Sequence, residues 1–320
     1  MSVCYRLLQL LLLLSHALHL TSAQAAPTAS AQQWLQQMVV ASRSSDYELI
    51  FLRPYQASFE TWRYRHAVIN RHQLLILEGP PTELRLQGNT VSYFRQAKAP
   101  LSSQAHTIGE VLPRVMQADF KRLRAYYDFS LLSTDRMADR DCQVIRLIPQ
   151  DTHRYGYLVW LDRQSKLLLR ADLLAPSGQQ AEQFRVVALS QRASIPQALQ
   201  RAVINHRSSL PVVTTPQQSP ITAWQPGWLP PGFEVIWSGQ RPLPSFAEPV
   251  DSQLYSDGLA TVALYVHATA SEMPSEPLAF QERHYSVYSE VRLGREITVV
   301  GEIPLSSARR MAQQVVVNTP

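Results

Sequence analysis

Polar and apolar residues alternate along most of the chain from Tyr47 onward, and this period of two predicts β-strands with one buried face. The clearest example is a hairpin with strands over residues 83–87 and 90–94, joined by the turn Gly88-Asn89. A glycine-containing pair between two alternating runs favours a tight two-residue turn. The leucines of the first strand fall on one face and its charged residues on the other, so one face is expected to be buried.

A second group of strands is predicted over residues 142–149, 154–161, 167–174 and 180–190. Short turns separate them, and consecutive strands with short turns pair as antiparallel neighbours. In the second of these strands both faces are apolar. A sheet of this kind must be covered on both faces, by helices, by curling on itself or by a bound apolar ligand.

Helical periodicity is confined to a few segments. The spacing of apolar residues predicts a first helix from Ser30 to Ser42 and a last helix from Ser306 to Val315. Residues 110–133 read as short helical turns followed by an aromatic cluster. A short helix opens at Ser194, with a proline near its start.

The chain divides into two domains on composition. Residues 206–220 carry three prolines among Ser, Thr and Gln, which is typical of a linker. This places an N-terminal domain over residues 26–205 and a C-terminal domain over residues 221–320. The C-terminal domain contains a hairpin turned by Ser256-Asp257-Gly258.

Residues 1–25 have the order of a secretory signal peptide. Arg6 precedes an apolar run from Leu7 to Leu14, and the small-residue motif Ala23-Gln24-Ala25 follows. The run is too short to span a membrane. We therefore expect an exported protein with a cleaved leader and, because no cysteine stands at the cleavage motif, no lipid anchor.

Beyond the leader, Cys142 is the single cysteine, which excludes an internal disulfide and a thiolate metal site. It heads an apolar strand, so we expect a buried side chain with no catalytic role. The formal net charge of +5 is not gathered into blocks, as it would be in a nucleic-acid-binding protein.

No catalytic signature is present: the sequence lacks G-x-S-x-G, H-E-x-x-H, C-x-x-C, G-x-G-x-x-G and P-loop motifs. His66 and His72 could meet across a turn, but a metal site needs three or four converging ligands, so a surface position is expected for both. The carboxylates Asp119 and Asp128 are a weak candidate pair. We therefore predict a protein that is not an enzyme and holds no metal or cofactor.

Several short segments occur in a characteristic order through nearly the whole chain after the leader. They are Arg63-Tyr64-Arg65-His66, Asp119-Phe120-Lys121-Arg122-Leu123, Tyr126-Tyr127-Asp128-Phe129, Glu182-Gln183-Phe184-Arg185-Val186, Trp228-Leu229-Pro230, Arg241-Pro242-Leu243-Pro244 and Tyr255-Ser256-Asp257-Gly258-Leu259. In this order and spacing they resemble one family, the periplasmic sigma-E factor regulatory proteins known as RseB or MucB.

The resemblance implies an α+β fold that is mostly antiparallel β. Its N-terminal domain would be a LolA/LolB-like curved half-barrel sheet with helices and an apolar concavity, and its C-terminal domain would be smaller and β-rich. Family members bind the periplasmic segment of an inner-membrane anti-sigma factor and shield it from the site-1 protease. Lipopolysaccharide or another acylated lipid is thought to release them, and in pseudomonad relatives the pathway controls alginate production.

We therefore expect a periplasmic negative regulator of the sigma-E response. The alternative is a periplasmic lipid or lipoprotein carrier without a signalling partner, since fold alone does not fix function. The C-terminal domain tells against a simple carrier. An enzyme is the third hypothesis, and a homo-oligomer is left open.

Aromatic anchors dominate interface energies, so the prediction for partner contact rests on large apolar residues of the second domain. These are Trp224, Trp228, Phe233, Tyr255 and Leu259. Each of them could equally pack the core of its own domain. For anionic lipid headgroups we predict Arg63 and Arg65, because a guanidinium binds phosphates in a bidentate manner; ordinary surface arginines are the alternative.

Overall fold

The computed structural model describes residues 29–55, 58–104, 108, 111–192, 194–204, 212–213, 218–221, 223–243, 246, 248–269 and 276–318. The predicted signal peptide and most of the predicted linker lie outside these residues. From Ala31 onward the described residues belong to one compact unit.

The first part of the chain forms one large sheet, which has twelve strands among the described residues. Its strands are β1 (Tyr47–Tyr55), β2 (Ser58–Ala67), β3 (Arg71–Ile76), β4 (Thr82–Gln87), β5 (Thr90–Arg95), β6 (Leu101–Gln104), β7 (Tyr127–Met137), β8 (Arg140–Pro149), β9 (Gly156–Asp162), β10 (Leu168–Leu174), β11 (Gln180–Ser190) and β12 (Val212–Val213). The spatial order is β12-β6-β5-β4-β3-β2-β1-β11-β10-β9-β8-β7.

Two antiparallel meanders make up this sheet. One runs from β1 to β6 and the other from β7 to β11, and the pairing of β1 with β11 joins them. The short β12 adds to β6 in the parallel direction. Because β1 and β11 are far apart in sequence, this central pairing is a non-local contact, and its formation costs loop-closure entropy.

Alternation along the strands sorts the side chains onto two faces. In β2, Trp62, Tyr64 and His66 are buried on one face, whereas Arg63 and Arg65 lie partly exposed on the other. The buried face carries the main hydrophobic core of the domain. Strand pleating, with its period of two, produces this separation directly from the sequence.

Three helices and a 3₁₀ turn accompany the described part of this sheet. They are α1 (Ala31–Ser44), the 3₁₀ turn Arg114–Gln117, α2 (Phe120–Leu123) and α3 (Ile195–Ile204). Helix α1 inserts Leu35 and Met38 into the core, both with no exposed surface. Helix α2 begins at Asp119, whose carboxylate accepts the backbone N–H groups of the first turn.

The second part of the chain forms a six-stranded antiparallel sheet among its described residues, in the order β14-β15-β16-β19-β18-β17. Its strands are β14 (Glu234–Arg241), β15 (Val250–Ser256), β16 (Thr261–Ala268), β17 (Leu278–Glu282), β18 (Tyr285–Arg292) and β19 (Arg295–Gly301). Helix α4 (Leu305–Gln313) packs against this sheet, and β13 (Trp224–Pro226) pairs with β20 (Val315–Val317). This sheet has a hydrophobic core of its own.

The predicted fold class is confirmed: the protein is mostly antiparallel β, with an open, curved N-terminal sheet and a second, smaller sheet. The predicted hairpin, the four-stranded meander and the first and last helices are all present, with shifts of a few residues at their ends. Cys142 is fully buried, as expected, and burial raises the pKa of its thiol to about 11. The exact domain boundaries stay a prediction.

The short helical turns predicted within residues 110–133 are present as the 3₁₀ turn and α2, but the aromatic cluster that follows them begins strand β7, which the sequence did not predict. Tyr127, Phe129 and Leu131 alternate with polar residues, and their backbones pair with β8. The dense aromatic cluster concealed a period of two in the sequence.

Candidate functional site at the domain interface

A buried ion pair joins the two domains. Arg154 lies in the turn before β9, and its Nη1 donates to Asp257 Oδ2 at 2.9 Å. The side chains of both residues have 0% exposed surface. Asp151, three residues earlier, accepts from Arg154 Nη2 at 2.9 Å, and the backbone carbonyl of Pro231 accepts from the same nitrogen. The guanidinium therefore binds three acceptors, two of them from the C-terminal domain.

Aromatic rings from both domains enclose this guanidinium. Its carbon lies 5.2 Å from the ring centre of Tyr126 and 5.6 Å from that of Tyr127. Phe233 of the C-terminal domain approaches to 5.5 Å. Rings at these distances attract the cation through their quadrupoles and exclude water from the ion pair.

Asp257 owes its position to the turn between β15 and β16. Its Oδ1 accepts the backbone N–H groups of Leu259 and Ala260, each at 2.9 Å. This is the local hydrogen bonding for which Asp is favoured in turns. One carboxylate oxygen thus shapes the turn, and the other faces Arg154 of the opposite domain.

Leu259, two residues after Asp257, extends its side chain into the N-terminal domain. Only 1% of the residue is exposed, and it belongs to the hydrophobic core of the first sheet. Beside it a cavity of about 70 Å³ remains between the domains. Residues of both domains line the cavity, among them Tyr127, Tyr155, Tyr157, Leu173, Phe184 and Leu259.

A charged cluster forms the rim of this cavity. His284, in the turn between β17 and β18, has its Nδ1 3.0 Å from Glu182 Oε2 of the N-terminal domain. Burial raises the pKa of the Glu182 carboxyl, but His284, Arg53 and Arg283 outweigh burial, so the pKa lies below its ordinary value. Glu182 therefore stays ionised and binds the C-terminal domain electrostatically.

Further polar contacts surround the buried centre. Arg114 Nε lies 3.3 Å from Glu302 Oε2, and Gln281 Nε2 donates to the Tyr155 hydroxyl at 3.2 Å. Arg283 Nη1 donates to the backbone carbonyl of Pro54 at 3.1 Å. The interface thus has a buried ion pair enclosed by aromatic rings at its centre and further polar contacts at its rim.

Gly232 brings the backbone of the C-terminal domain close to side chains of the N-terminal domain. Its φ is +81°, and a Cβ at this position would collide with the Tyr126 ring. Arg122 Nη2 also donates to the Gly232 carbonyl at 2.9 Å. A residue with a side chain would therefore have to displace the Tyr126 ring or the backbone at this point.

Both parts of the chain match models of known families. The MucB/RseB N-terminal domain model matches residues 30–204, and the MucB/RseB C-terminal domain model matches residues 218–316. The chain belongs to the MucB/RseB family. Both halves of the interface just described lie within these matched regions.

Curated relatives span nearly the whole chain. The sigma-E factor regulatory protein RseB of Escherichia coli K12 is 38% identical over 300 residues, covering 92% of this chain and 93% of the relative. The sigma factor AlgU regulatory protein MucB of Pseudomonas aeruginosa PAO1 is 30% identical over 320 residues, with 97% of each chain covered.

Solved MucB structures match this fold to different degrees. The complex of Pseudomonas aeruginosa MucA and MucB matches with a TM-score of 0.72 at 28% identity, covering 91% of this chain and 99% of that one. A crystal structure of MucB matches with a TM-score of 0.58 at 26% identity and the same coverages. By overall TM-score, the structure is thus more similar to the MucB of the complex.

Most of the apolar residues predicted for partner contact are buried in this family member. Trp224, Phe233 and Tyr255 belong to the core of the C-terminal domain, and Leu259 to that of the N-terminal domain. Trp228 is only partly buried; its ring centre lies 4.9 Å from that of His153 and 4.1 Å from the Arg310 guanidinium. Each residue thus has a packing role, and contact with a partner stays a prediction.

The two arginines predicted for lipid headgroups lie on the outer face of β2. Arg65 Nε is 2.6 Å from Glu48 Oε2, and its Nη1 donates to Gln73. Arg63 Nε lies 3.8 Å from the same carboxylate. Glu48 partly neutralises both cations, so binding of an anionic headgroup there stays a prediction that this arrangement does not favour.

The expectation that His66 and His72 lie on the surface is wrong for His66, which is 5% exposed. The two residues pair directly across β2 and β3, and their ring centres are 4.5 Å apart. Tyr64 shares a hydrogen bond of 2.8 Å with His72 Nδ1. Burial and the neighbouring His66 lower the pKa of His72 to about 4, so the pair is uncharged at neutral pH.

Sequence reasoning missed Arg154, Asp257 and His284 as interface residues. Asp257 was visible only as a turn residue, and nothing in its sequence neighbourhood indicates a partner 103 positions away. Within the described part of the chain, no three His, Cys, Asp or Glu side chains converge as metal ligands would. Among the described helices, none combines the length and the apolar character needed to span a bilayer.

Proposed function

We propose that this protein is a periplasmic negative regulator of a sigma-E-type envelope-stress response. It binds the periplasmic segment of an inner-membrane anti-sigma factor and shields that segment from the site-1 protease, and an acylated lipid such as lipopolysaccharide releases it. The observation that carries the proposal is the match of 91% of this chain to MucB in complex with MucA, with TM-scores of 0.72 and 0.71.

In this proposal the two domains divide the work. The N-terminal sheet senses an acyl chain through its apolar cavity, and the C-terminal domain holds the anti-sigma segment. Coupling between the two ligands requires that they prefer different domain arrangements. Unequal TM-scores, 0.72 and 0.71 against the two complexes and 0.58 against the other MucB crystal structure, are what two domain arrangements within the family would produce.

Among the apolar residues predicted for partner contact, Trp228 is the best placed to act without any rearrangement. It is partly exposed, and Arg310 and His153 hold its ring in position. Tryptophan is among the residue types most enriched at interface hot spots. Phe233 and Leu259 would become available only when the domains separate.

The test is binding of the mature protein to an immobilised periplasmic segment of the anti-sigma factor, with and without lipopolysaccharide. We expect binding that lipopolysaccharide weakens, and slower cleavage of the segment by the site-1 protease while the protein is bound. Absence of binding would overturn the regulator. Binding that lipopolysaccharide leaves unchanged would overturn the release by lipid.

A matched pair of variants locates the contact. Trp228→Ala should weaken binding roughly tenfold or more, as hot-spot truncations do. Trp34→Ala is the control, because Trp34 is also a partly buried tryptophan but lies on α1 of the N-terminal domain, next to Lys166. Its affinity should stay within about twofold of the unmodified protein.

A further inference from the structure

Leu259 belongs to the C-terminal domain, but its side chain lies in the core of the N-terminal domain. It stands in a turn of the C-terminal sheet, yet its side chain packs in the core of the N-terminal sheet and is 1% exposed. The space left around it is about 70 Å³. That is room for a few water molecules.

The ion pair between Asp257 and Arg154 positions the turn that carries Leu259. Asp257 accepts the Leu259 backbone N–H with one carboxylate oxygen and the Arg154 guanidinium with the other. Because both charged side chains are fully buried, the ion pair forms only when the domains are docked and water is excluded. Docking of the C-terminal domain therefore requires that Leu259 insert into the N-terminal core at the same time.

The apolar wall that receives Leu259 is the wall that an acyl chain would need. Tyr157, Leu173 and Phe184 line the cavity from the N-terminal side, and Leu259 with Ala260 closes it from the other side. If this turn moved away, the aromatic and aliphatic side chains of β9, β10 and β11 that line the cavity would become accessible. An acyl chain laid against this wall would compete with Leu259 for the same contacts.

We propose that Leu259 is an internal ligand of the N-terminal cavity, so that a lipid acyl chain and the docked C-terminal domain exclude each other. The proposal rests on the proposed function only in taking an acylated molecule as the external ligand. An acyl chain that enters displaces Leu259, separates Asp257 from Arg154 and undocks the domain. By linkage, docking lowers the affinity for acyl chains by the same factor.

The test uses the mature protein and the fluorescent fatty acid cis-parinaric acid, kept below its micelle concentration. Leu259→Ala should bind the probe about tenfold more tightly than the unmodified protein, since truncation of a buried leucine both weakens docking and enlarges the cavity. Leu278→Ala is the matched control, because Leu278 is 60% exposed on β17. Its affinity for the probe should be unchanged within about twofold.

A second variant separates competition from a general loss of stability. Asp257→Asn keeps Leu259 and the acceptor for the turn but removes the charge that faces Arg154. It should also bind cis-parinaric acid more tightly, and small-angle X-ray scattering should report a larger maximum dimension without the probe. In the unmodified protein, the probe itself should produce the larger dimension.

Two results would overturn the proposal. One is equal affinity for cis-parinaric acid in Leu259→Ala, Asp257→Asn and the unmodified protein. The other is tight binding of the probe with no change in the scattering profile. Binding of the anti-sigma segment is measured separately on the same proteins without probe, so its loss counts against the proposed function and leaves the competition result standing.

Discussion

Two arginines show how differently the outer face of the N-terminal sheet and the domain interface use the same chemistry. On the outer face, Arg65 lies 2.6 Å from Glu48, and the two side chains are 24% and 22% exposed. At the interface, Arg154 lies 2.9 Å from Asp257, and both side chains have 0% exposed surface. We expect the shorter pair, between Arg65 and Glu48, to contribute less to stability than the buried pair between Arg154 and Asp257.

Access to water explains the difference. If Arg65 loses Glu48, water solvates the free charge, so an exposed pair contributes little net stability. If Arg154 loses Asp257, no water can replace it while the domains stay docked, and the cost of the unpaired buried charge must be met by undocking. Distance between charges therefore says less about a contact than burial does.

The largest effect is expected from breaking the buried pair. Arg154→Met should lower the free energy of unfolding by about 3–5 kcal/mol, because it leaves the Asp257 carboxylate buried without its cation. Urea denaturation of the protein without residues 1–25 measures this. In the double variant Arg154→Met with Asp257→Asn, much of the loss should be recovered; a loss below about 1 kcal/mol for the single variant would contradict the buried-charge account.

The steric contact at the same interface gives the second-largest effect. Gly232→Ala places a Cβ against the Tyr126 ring at a backbone φ of +81°, and we expect a loss of about 1–3 kcal/mol. Gly178→Ala, at a φ of +83° with no atom near the added carbon, is the control for backbone strain alone. Equal losses in the two variants would show that the approach to Tyr126 is unimportant.

His72 is an intermediate case, a partly buried group that is kept neutral. Its pKa in the folded protein is about 4, against 6.5 for an unhindered histidine, because burial and the His66 ring disfavour the charged form. The unfolded chain therefore binds more protons in this range, and stability should fall, by on the order of 2 kcal/mol, as pH decreases from about 6.5 to about 4.

His72→Gln should flatten this pH dependence, measured as urea midpoints across the same range. His267→Gln is the control, because His267 lies on β16 in the C-terminal domain, next to Glu296. A pH profile that His72→Gln leaves unchanged would mean that other groups dominate acid destabilisation.

The smallest effect is expected on the outer face. Arg65→Ala should change the free energy of unfolding by less than about 1 kcal/mol, and added salt should reduce the difference further. The same urea titration measures it beside Arg154→Met. A loss comparable to that of Arg154→Met would remove the distinction between the two regions.

The sequence by itself determined the local structure. Period-two alternation identified the hairpin at Gly88-Asn89 and the meander from β8 to β11, and helical periodicity identified α1 and α4. These signals suffice because strand and helix geometry repeat over neighbouring residues. The resemblance to the MucB/RseB family was also carried by short segments in order along the chain.

Only the tertiary structure decided which residues form the candidate site. It brought Arg154 to Asp257, 103 positions away, and placed Leu259 in the core of the other domain. It also buried Phe233 and Tyr255, which the sequence presented equally as surface anchors or as core. Burial and charge pairing depend on the contacts of the whole fold, and these contacts are not encoded in any local pattern.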